Sequence, residues 1–242
     1  MPFLDHLEEL RRVLIFVGIV VGVGAAGAWY WSGDVLDWLI QNTSGDAIFM
    51  RPQGAFIARI KVAIVLGLMA TLPLVFYKIW SFVGPGLLET ERKFVLPGVL
   101  FSLLLFYLGV AFSYFVLTPL MVDVLLGFGN THLQAQTEIT FLLDLVFTMG
   151  MASGLIFQMP LVLAFLTIIN IITPTFLKLY WRHAIVLIFI SAALLTPADP
   201  VSQVLLAVPL ILLYGISLVI CTIIYKGKRK SKPKGDPNAV SR

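Results

Sequence analysis

The sequence predicts an all-α membrane protein that crosses the bilayer six times, with both termini on the cytoplasmic side. Of its 242 residues, 59% are hydrophobic and 12% are charged, whereas a soluble domain carries about a quarter charged residues. Most of its 17 Lys and Arg residues stand in four short clusters that are separated by long apolar stretches. Basic clusters of this kind mark the cytoplasmic side of a membrane protein.

The basic clusters predict the orientation of the chain. They contain, in chain order, Arg11 and Arg12; Lys78, Arg92 and Lys93; Lys178 and Arg182; and Lys226, Lys228, Arg229, Lys230, Lys232, Lys234 and Arg242. The loops at 32–58, 118–140 and 196–202 carry mostly acidic charges and are expected on the outer side. The C-terminal tail, residues 226–242, is expected to be disordered and to bind anionic lipid headgroups rather than nucleic acid.

Four apolar runs reach the ~20 residues that a membrane-spanning helix needs. They cover residues 13–31, 60–80, 94–117 and 141–169. A fifth run, 184–195, is short, and a sixth, 204–225, is long enough. Because the basic tail must lie inside, the last two runs either both span or form a re-entrant hairpin. We expect two short or tilted spans, since a bilayer thins locally at modest cost, and residues 1–225 then form a single membrane domain.

Prolines in the apolar runs leave the shape of the helix bundle open. Pro73, Pro97, Pro160 and Pro209 each remove a backbone donor and favour a kink. Kinked helices of unequal length would form a curved wall, but prolines are also simply frequent in membrane helices.

The sequence offers little chemistry for catalysis. It contains no H-E-x-x-H metal motif and no pair of membrane-embedded aspartates. Ser153 precedes a glycine in an apolar run, but the three histidines, His6, His132 and His183, fall near interfaces or in loops. No histidine is therefore expected at membrane depth to act as a base. We expect neither an enzyme nor a bound cofactor or metal.

Polar residues inside the predicted spans are few. Asp144 and Gln158 lie 14 positions apart in the fourth run and would share one face of an unbroken helix. Gln158 would then serve either helix-to-helix hydrogen bonding or a functional cavity. With Thr196, Asp199 and Gln203, it is expected to gather near the short helices, where Thr196 and Gln203 could dock a partner's single transmembrane helix.

Two segments on the cytoplasmic side carry carboxylates beside apolar residues. An apolar stripe at helical spacing over 3–14 leaves Asp5, Glu8 and Glu9 pointing away from it. Glu8 can pair with Arg11 or Arg12, and Glu9 with Arg12.

In the first inner loop, Glu89 has Lys93 four positions later, but Glu91 has no basic residue at either helical spacing. Such a surface suits a ligand that carries arginines next to a hydrophobic stretch.

Several short motifs in the same order give the chain a resemblance to a known family. They are the H-L-E-E-L-R sequence at 6–11; Phe82, Pro85, Glu91 and Arg92 in the first inner loop; F-Q-M-P at 157–160; and L-T-P-A-D at 195–199 with Ser202 and Gln203. Over nearly its whole length the chain closely resembles the TatC family, the multispanning receptor subunit of the twin-arginine protein translocase.

The resemblance implies a glove-like fold of six helices, with short fifth and sixth helices, in the cytoplasmic membrane. It implies that the protein binds the paired-arginine signal peptides of folded cargo proteins and acts with single-span subunits of the TatA and TatB types, using the proton-motive force. Self-association is left open. Residues similar to those that contact the signal peptide are Glu9, Glu91, Arg11, Phe82, Pro85 and Arg92.

Two positions depart from the pattern of the family. Gln158 stands where many relatives have glutamate, and Val13 stands where a basic residue is usual, with Arg12 as a substitute. The alternative function, a secondary transporter of a small solute, would need a midplane site and internal repeats. The sequence shows no such inverted repeat.

Overall fold

The computed structural model describes residues 2–43, 53–83, 95–127, 138–195 and 200–231. In these ranges the fold is all-α, which confirms the predicted fold class. The helices are α1 (Pro2–Ala28), α2 (Ser32–Thr43), α3 (Gly54–Val83), α4 (Val95–Phe112), α5 (Thr118–Gly127), α6 (Ile139–Ile156), α7 (Met159–Ile168), α8 (Pro174–Leu179), α9 (Trp181–Leu195) and α10 (Pro200–Ser231). A π-helical turn, Ser113–Leu117, joins α4 to α5.

Five helical segments in the described ranges are long and apolar enough to cross a membrane. They are Leu7–Ala28, Gly54–Phe82, Leu96–Val124, Ile139–Ile168 and Gln203–Gly227. The helix α9 is apolar but has only 15 residues, which at ~1.5 Å per residue is about 22 Å. That is shorter than a hydrocarbon core of ~30 Å. The protein is therefore a multi-pass membrane protein with five to six spanning helices. Its fifth predicted span, the helix α9, is short, as predicted.

Several helices extend further than the sequence suggests. The helix α1 starts at Pro2, so the amphipathic N-terminal segment and the first span form one continuous helix. The third span does not end before Pro119 but continues to Gly127. Proline clashes with the carbonyl of residue i−4 in a regular α-helix, and the wider π-helical turn lies directly before Pro119.

The last helix, α10, has 32 residues and is not the short helix that was expected. It continues through residues 226–231, so this part of the predicted disordered tail is helical. Lysine and arginine are good helix formers, and adding residues to an existing helix is easier than starting a new one. Residues 232–242 lie outside the described ranges.

The chain divides into two compact units. The first contains Met1–Phe157 and Asp199–Ser202, and the second contains Gln158–Ala198 and Gln203–Arg242. A single membrane domain over 1–225 stays a prediction.

In the first unit, α1 packs against α3 and α4 packs against α6. One core cluster joins α2, α3 and α6 through six buried residues: Leu36, Leu39, Ala58, Val62, Ile139 and Leu143. A second joins α3 and α4 through Leu72, Phe76, Val99 and Phe106. Outward side chains of α1, such as Leu14 and Val23, are 63% and 68% exposed. They suit contact with lipid rather than water.

In the second unit, side-chain hydrogen bonds cap α8 and connect it to α10. The Thr173 hydroxyl caps α8 by accepting from the backbone N–H of Phe176, at 3.3 Å. The Tyr214 hydroxyl of α10 donates to the backbone carbonyl of Leu177, at 2.8 Å. Asn170, with φ of 59°, follows α7 in the left-handed conformation that commonly ends helices.

Candidate functional site

Glu8 and Glu9 differ in their surroundings, although both lie in the first turns of α1. The side chain of Glu8 is 60% exposed and accepts a hydrogen bond from Arg12 at 2.7 Å. This confirms one of the two pairings that the spacing allowed. Glu9 is half-buried and shares a helix face with Val13, Phe16 and Val20, which are also half-buried. Glu9 therefore lies on the side of α1 that packs against α3 rather than on the solvated side.

The packing of α1 on α3 has a register that can be followed from two contacts. Gly24 lies against Thr71, where a Cβ atom on the glycine would be 2.7 Å from the threonine methyl group. Near the other end, the ammonium of Lys78 lies 4.9 Å from the centre of the Phe16 ring. The two helices are thus antiparallel. Moving back along α1 from Phe16 to Glu9 corresponds to moving along α3 to its end at Val83.

The last turn of α3 packs against the first turns of α4. Phe82 is half-buried in the last turn of α3. Two residues earlier, the Trp80 indole N–H donates to the Ser102 hydroxyl of α4, at 2.9 Å. The Trp80 ring also covers Gly98, where a Cβ atom would be 2.8 Å from the ring. These contacts fix the point where the chain leaves α3 and the point where it enters α4.

Part of the predicted site belongs to the loop between α3 and α4. Pro85, Glu91 and Arg92, with the neighbouring Glu89 and Lys93, lie outside the described residues. Arg11 is described and its side chain is exposed. Of the predicted signal-peptide residues, Glu9, Arg11 and Phe82 therefore lie at one end of the α1–α3 pair. Signal-peptide binding by any of the six stays a prediction.

The acidic residue predicted inside the fourth span has a basic partner that sequence reasoning missed. The Lys61 ammonium of α3 donates to the Asp144 carboxylate of α6. Asp144 thus serves contact between helices rather than acting as an isolated charge. The available signal was that Lys61 stands in the second apolar run and Asp144 in the fourth, because charges in transmembrane segments pair with one another.

A second basic residue of α3 joins the corner between α1 and α2. The Arg59 guanidinium donates to the hydroxyl of Ser32, at 3.1 Å, and lies 4.9 Å from the ring centre of Trp29. The Ser32 hydroxyl donates in turn to the Trp29 carbonyl, at 2.7 Å. Ser32 is fully buried. Of the three basic residues that stand apart from the four clusters, Arg59 and Lys61 therefore both connect helices, and Arg51 lies outside the described residues.

Of the four polar residues predicted near the short helices, the structure describes two, Gln158 and Gln203. Gln158 is half-buried in a turn between α6 and α7, where Pro160 cannot donate to the preceding turn. The helix α6 therefore ends at Ile156, two residues before Gln158. The Gln203 amide donates to the Phe189 carbonyl of α9, at 3.0 Å, a contact within the chain. Thr196 and Asp199 lie outside the described residues, and partner docking stays a prediction.

Comparison with known proteins assigns the family. The family model described as "Sec-independent protein translocase protein (TatC)" matches residues 5–209. The chain belongs to the TatC family. A TatC protein of Desulforapulum autotrophicum is 34% identical and aligns with 98% of this chain and 90% of its own length. One of Helicobacter pylori is 33% identical, over 90% of this chain and 88% of its own.

Solved structures give the same assignment for the fold. A structure titled "Crystal Structure of Twin Arginine Translocase Receptor- TatC" superposes with a TM-score of 0.81 and 34% identity. It covers 90% of this chain, and 99% of its own length is matched. A second TatC structure, in DDM, gives a TM-score of 0.77 and 35% identity. TatC membership disfavours the alternative of a small-solute transporter.

Proposed function

We propose that this protein is the multispanning receptor subunit of a twin-arginine translocase and that it binds paired-arginine signal peptides on its cytoplasmic side. The family and its structural relatives support the receptor role. With single-span subunits of the TatA and TatB types, it would move folded cargo across the cytoplasmic membrane using the proton-motive force. Its own part in this process is binding and assembly, not catalysis.

The observation that carries the site is the position of Glu9. It lies on the α3-facing side of α1, and the register of the two helices places it near the end of α3. The chain that continues from there carries Pro85, Glu91 and Arg92. A carboxylate on α1 and one on this segment would thus approach each other, although 82 positions separate them in the sequence.

Two carboxylates suit paired arginines for a geometric reason. A guanidinium presents a planar fork of N–H donors that matches both oxygens of a carboxylate, and lysine cannot reproduce this arrangement. Phe82, half-buried at the end of α3, offers apolar surface for the hydrophobic part of a signal peptide.

The test is to measure signal-peptide binding to detergent-purified variants. A hydrogen bond to a charged group contributes about 1.5–3 kcal/mol, and water at the membrane surface lowers this. We therefore expect Glu9→Ala and Glu91→Ala each to weaken binding by roughly tenfold or more. Replacing the peptide's arginines with lysines should weaken binding to the native protein in the same way.

Two glutamates close to the site serve as matched controls. Glu8→Ala removes a carboxylate that already pairs with Arg12 on the solvated side of α1. Glu89→Ala removes one that has Lys93 at helical spacing. Both should bind peptide within about twofold of the native protein. Equal losses in all four variants, at matched thermal stability, would show that these acids form only a solvated face.

A further inference from the structure

A cavity of about 370 Å³ lies between α2 and the far end of the third span, away from the site proposed above. Its lining comprises Trp38, Tyr114, Phe115, Thr118, Pro119, Val122 and Asp123. Sites for small molecules measure about 300–1,000 Å³, so the cavity is large enough to hold a headgroup-sized ligand. The proposed topology places it at the outer side of the membrane.

The wall of this cavity is built around the π-helical turn Ser113–Leu117. The Thr118 backbone N–H donates to the Ser113 carbonyl, five residues earlier, which is the bond that defines such a turn. Tyr114, inside the turn, stacks on Trp38 of α2 with ring centres 5.6 Å apart and planes inclined by 21°. Single π-helical turns are rare and often lie at functional sites. Here the turn brings the Tyr114 ring and the Thr118 side chain to the wall of the same cavity.

That polar group is a buried hydroxyl with an unused hydrogen-bonding capacity. Thr118 is 2% exposed and lines the cavity, and its hydroxyl has no hydrogen-bond partner in the described structure. The Ser113 hydroxyl, one turn earlier, is buried and unpartnered as well. A hydroxyl left in this state costs about 1–3 kcal/mol. Most threonines in helices avoid the cost by bonding to the preceding turn, as Thr71 and Thr167 do.

The charge and the opening of the cavity indicate the kind of ligand. Among the lining residues that the structure describes, Asp123 carries the only charge, and its side chain is exposed. A cationic group is therefore favoured there. Beside it, Phe115 is 73% exposed and Val116 40% exposed, on a surface that faces lipid. A ligand that meets both features has an ammonium at one end and a hydrocarbon chain at the other.

We propose that this cavity binds the headgroup of a phospholipid with a primary ammonium, such as phosphatidylethanolamine. The ammonium pairs with the Asp123 carboxylate. Rotation of the Thr118 side chain about χ1 brings its buried hydroxyl out of the cavity wall, so that it donates to the headgroup phosphate. The acyl chains lie along the apolar surface that begins at Phe115. The inference does not depend on signal-peptide binding, since it rests on residues of α2, α5 and the π-helical turn alone.

The test is native mass spectrometry of the full chain, purified in detergent and offered single lipids. We expect more bound phosphatidylethanolamine than phosphatidylglycerol, which is anionic, or phosphatidylcholine, whose quaternary ammonium has no N–H. Asp123→Asn and Thr118→Val should each lower phosphatidylethanolamine binding by about fivefold or more. Asp37→Asn and Thr148→Val, which change exposed residues outside the cavity, should leave it unchanged.

Thermal unfolding separates a lost ligand contact from a damaged fold. Without lipid, Thr118→Val should unfold at the native temperature or above, because it removes an unpartnered buried hydroxyl. Added phosphatidylethanolamine should then stabilise the native protein more than this variant. The proposal is wrong if phosphatidylglycerol binds as well as phosphatidylethanolamine, or if neither cavity variant changes binding. Thiol labelling of a Phe115→Cys variant provides a third test: the proposal is also wrong if a partner's helix, and not lipid, protects this cysteine.

Discussion

Ionisable side chains in the helical segments of the first unit make contacts that depend on where each charge stands. Glu8 and Arg12, one turn apart on the exposed side of α1, pair with each other. Such an exposed pair contributes little to stability. Lys61 and Asp144 stand on different helices, 83 positions apart. Their pairing orders two spans relative to each other, so its loss should have structural consequences that the loss of a local pair does not.

A double-mutant cycle measures this difference. Lys61→Met and Asp144→Asn should each lower the unfolding temperature in detergent, because each leaves one charge at the helix contact without its partner. The double variant should recover part of the loss, with a coupling free energy of about 1 kcal/mol. The side chains are 30% and 56% exposed, which limits the magnitude.

The Glu8–Arg12 pair provides the control for that cycle. Glu8→Ala with Arg12→Ala should show coupling of only a few tenths of a kcal/mol. Additive losses from Lys61→Met and Asp144→Asn would mean that the interhelical pair is no stronger than a solvated one.

At the scale of elements, α1 and α3 approach each other closely enough for their backbones to touch at two glycines. A Cβ atom on Gly67 would overlap the backbone of Gly24 and Ala25. A Cβ atom on Gly24 would lie 2.9 Å from the Gly67 carbonyl oxygen. Small residues let helices in membranes approach until their backbones touch. This crossing also sets the register that carries Glu9 to the end of α3.

Replacing these glycines tests the importance of the crossing. Gly67→Ala should lower the free energy of unfolding by about 1–3 kcal/mol, since the backbone of α1 cannot yield as a flexible side chain can. Signal-peptide binding should weaken with it, because the register between Glu9 and the end of α3 shifts.

Two other glycines on α1 give a matched control. Gly18 and Gly22 have open space where a Cβ atom would stand. Alanine at either position should be neutral or slightly stabilising, because alanine is favoured over glycine within a helix. If Gly67→Ala behaved like Gly18→Ala, the close crossing of α1 and α3 would have no energetic weight.

At the scale of the whole molecule, orientation in the membrane follows from the distribution of charge. Single cysteines in a Cys221→Ala background can be labelled with an impermeant thiol reagent in spheroplasts and in inverted vesicles. Cysteines replacing Arg11, Glu91, Lys178 or Lys226 should react only from the cytoplasmic side, and those replacing Asp46, Glu138 or Asp199 only from the outer side. Labelling of Asp199→Cys from the inside alone would replace the two last spans with a re-entrant hairpin.

The amino-acid sequence by itself determined the class of the protein, the approximate spans and the family. Apolar runs and basic clusters are properties of composition along the chain, and they act through the bilayer rather than through contacts between distant residues. The Glu8–Arg12 pair was predictable for a related reason, since helical spacing is local. The short length of α9 was predictable as well, because only a few apolar residues stand before the Thr-Pro sequence that ends the run.

Only the tertiary structure decided which polar residues meet. Lys61 with Asp144, Arg59 with Ser32 and Trp80 with Ser102 join different helices, and nothing in local periodicity specifies such pairs. The same holds for Glu9, whose half-buried position depends on how closely glycines let α1 approach α3. The continuation of the third span past Pro119 also required a π-helical turn that no residue pattern announces. Packing between helices selects these features, because it depends on contacts between residues far apart in the chain.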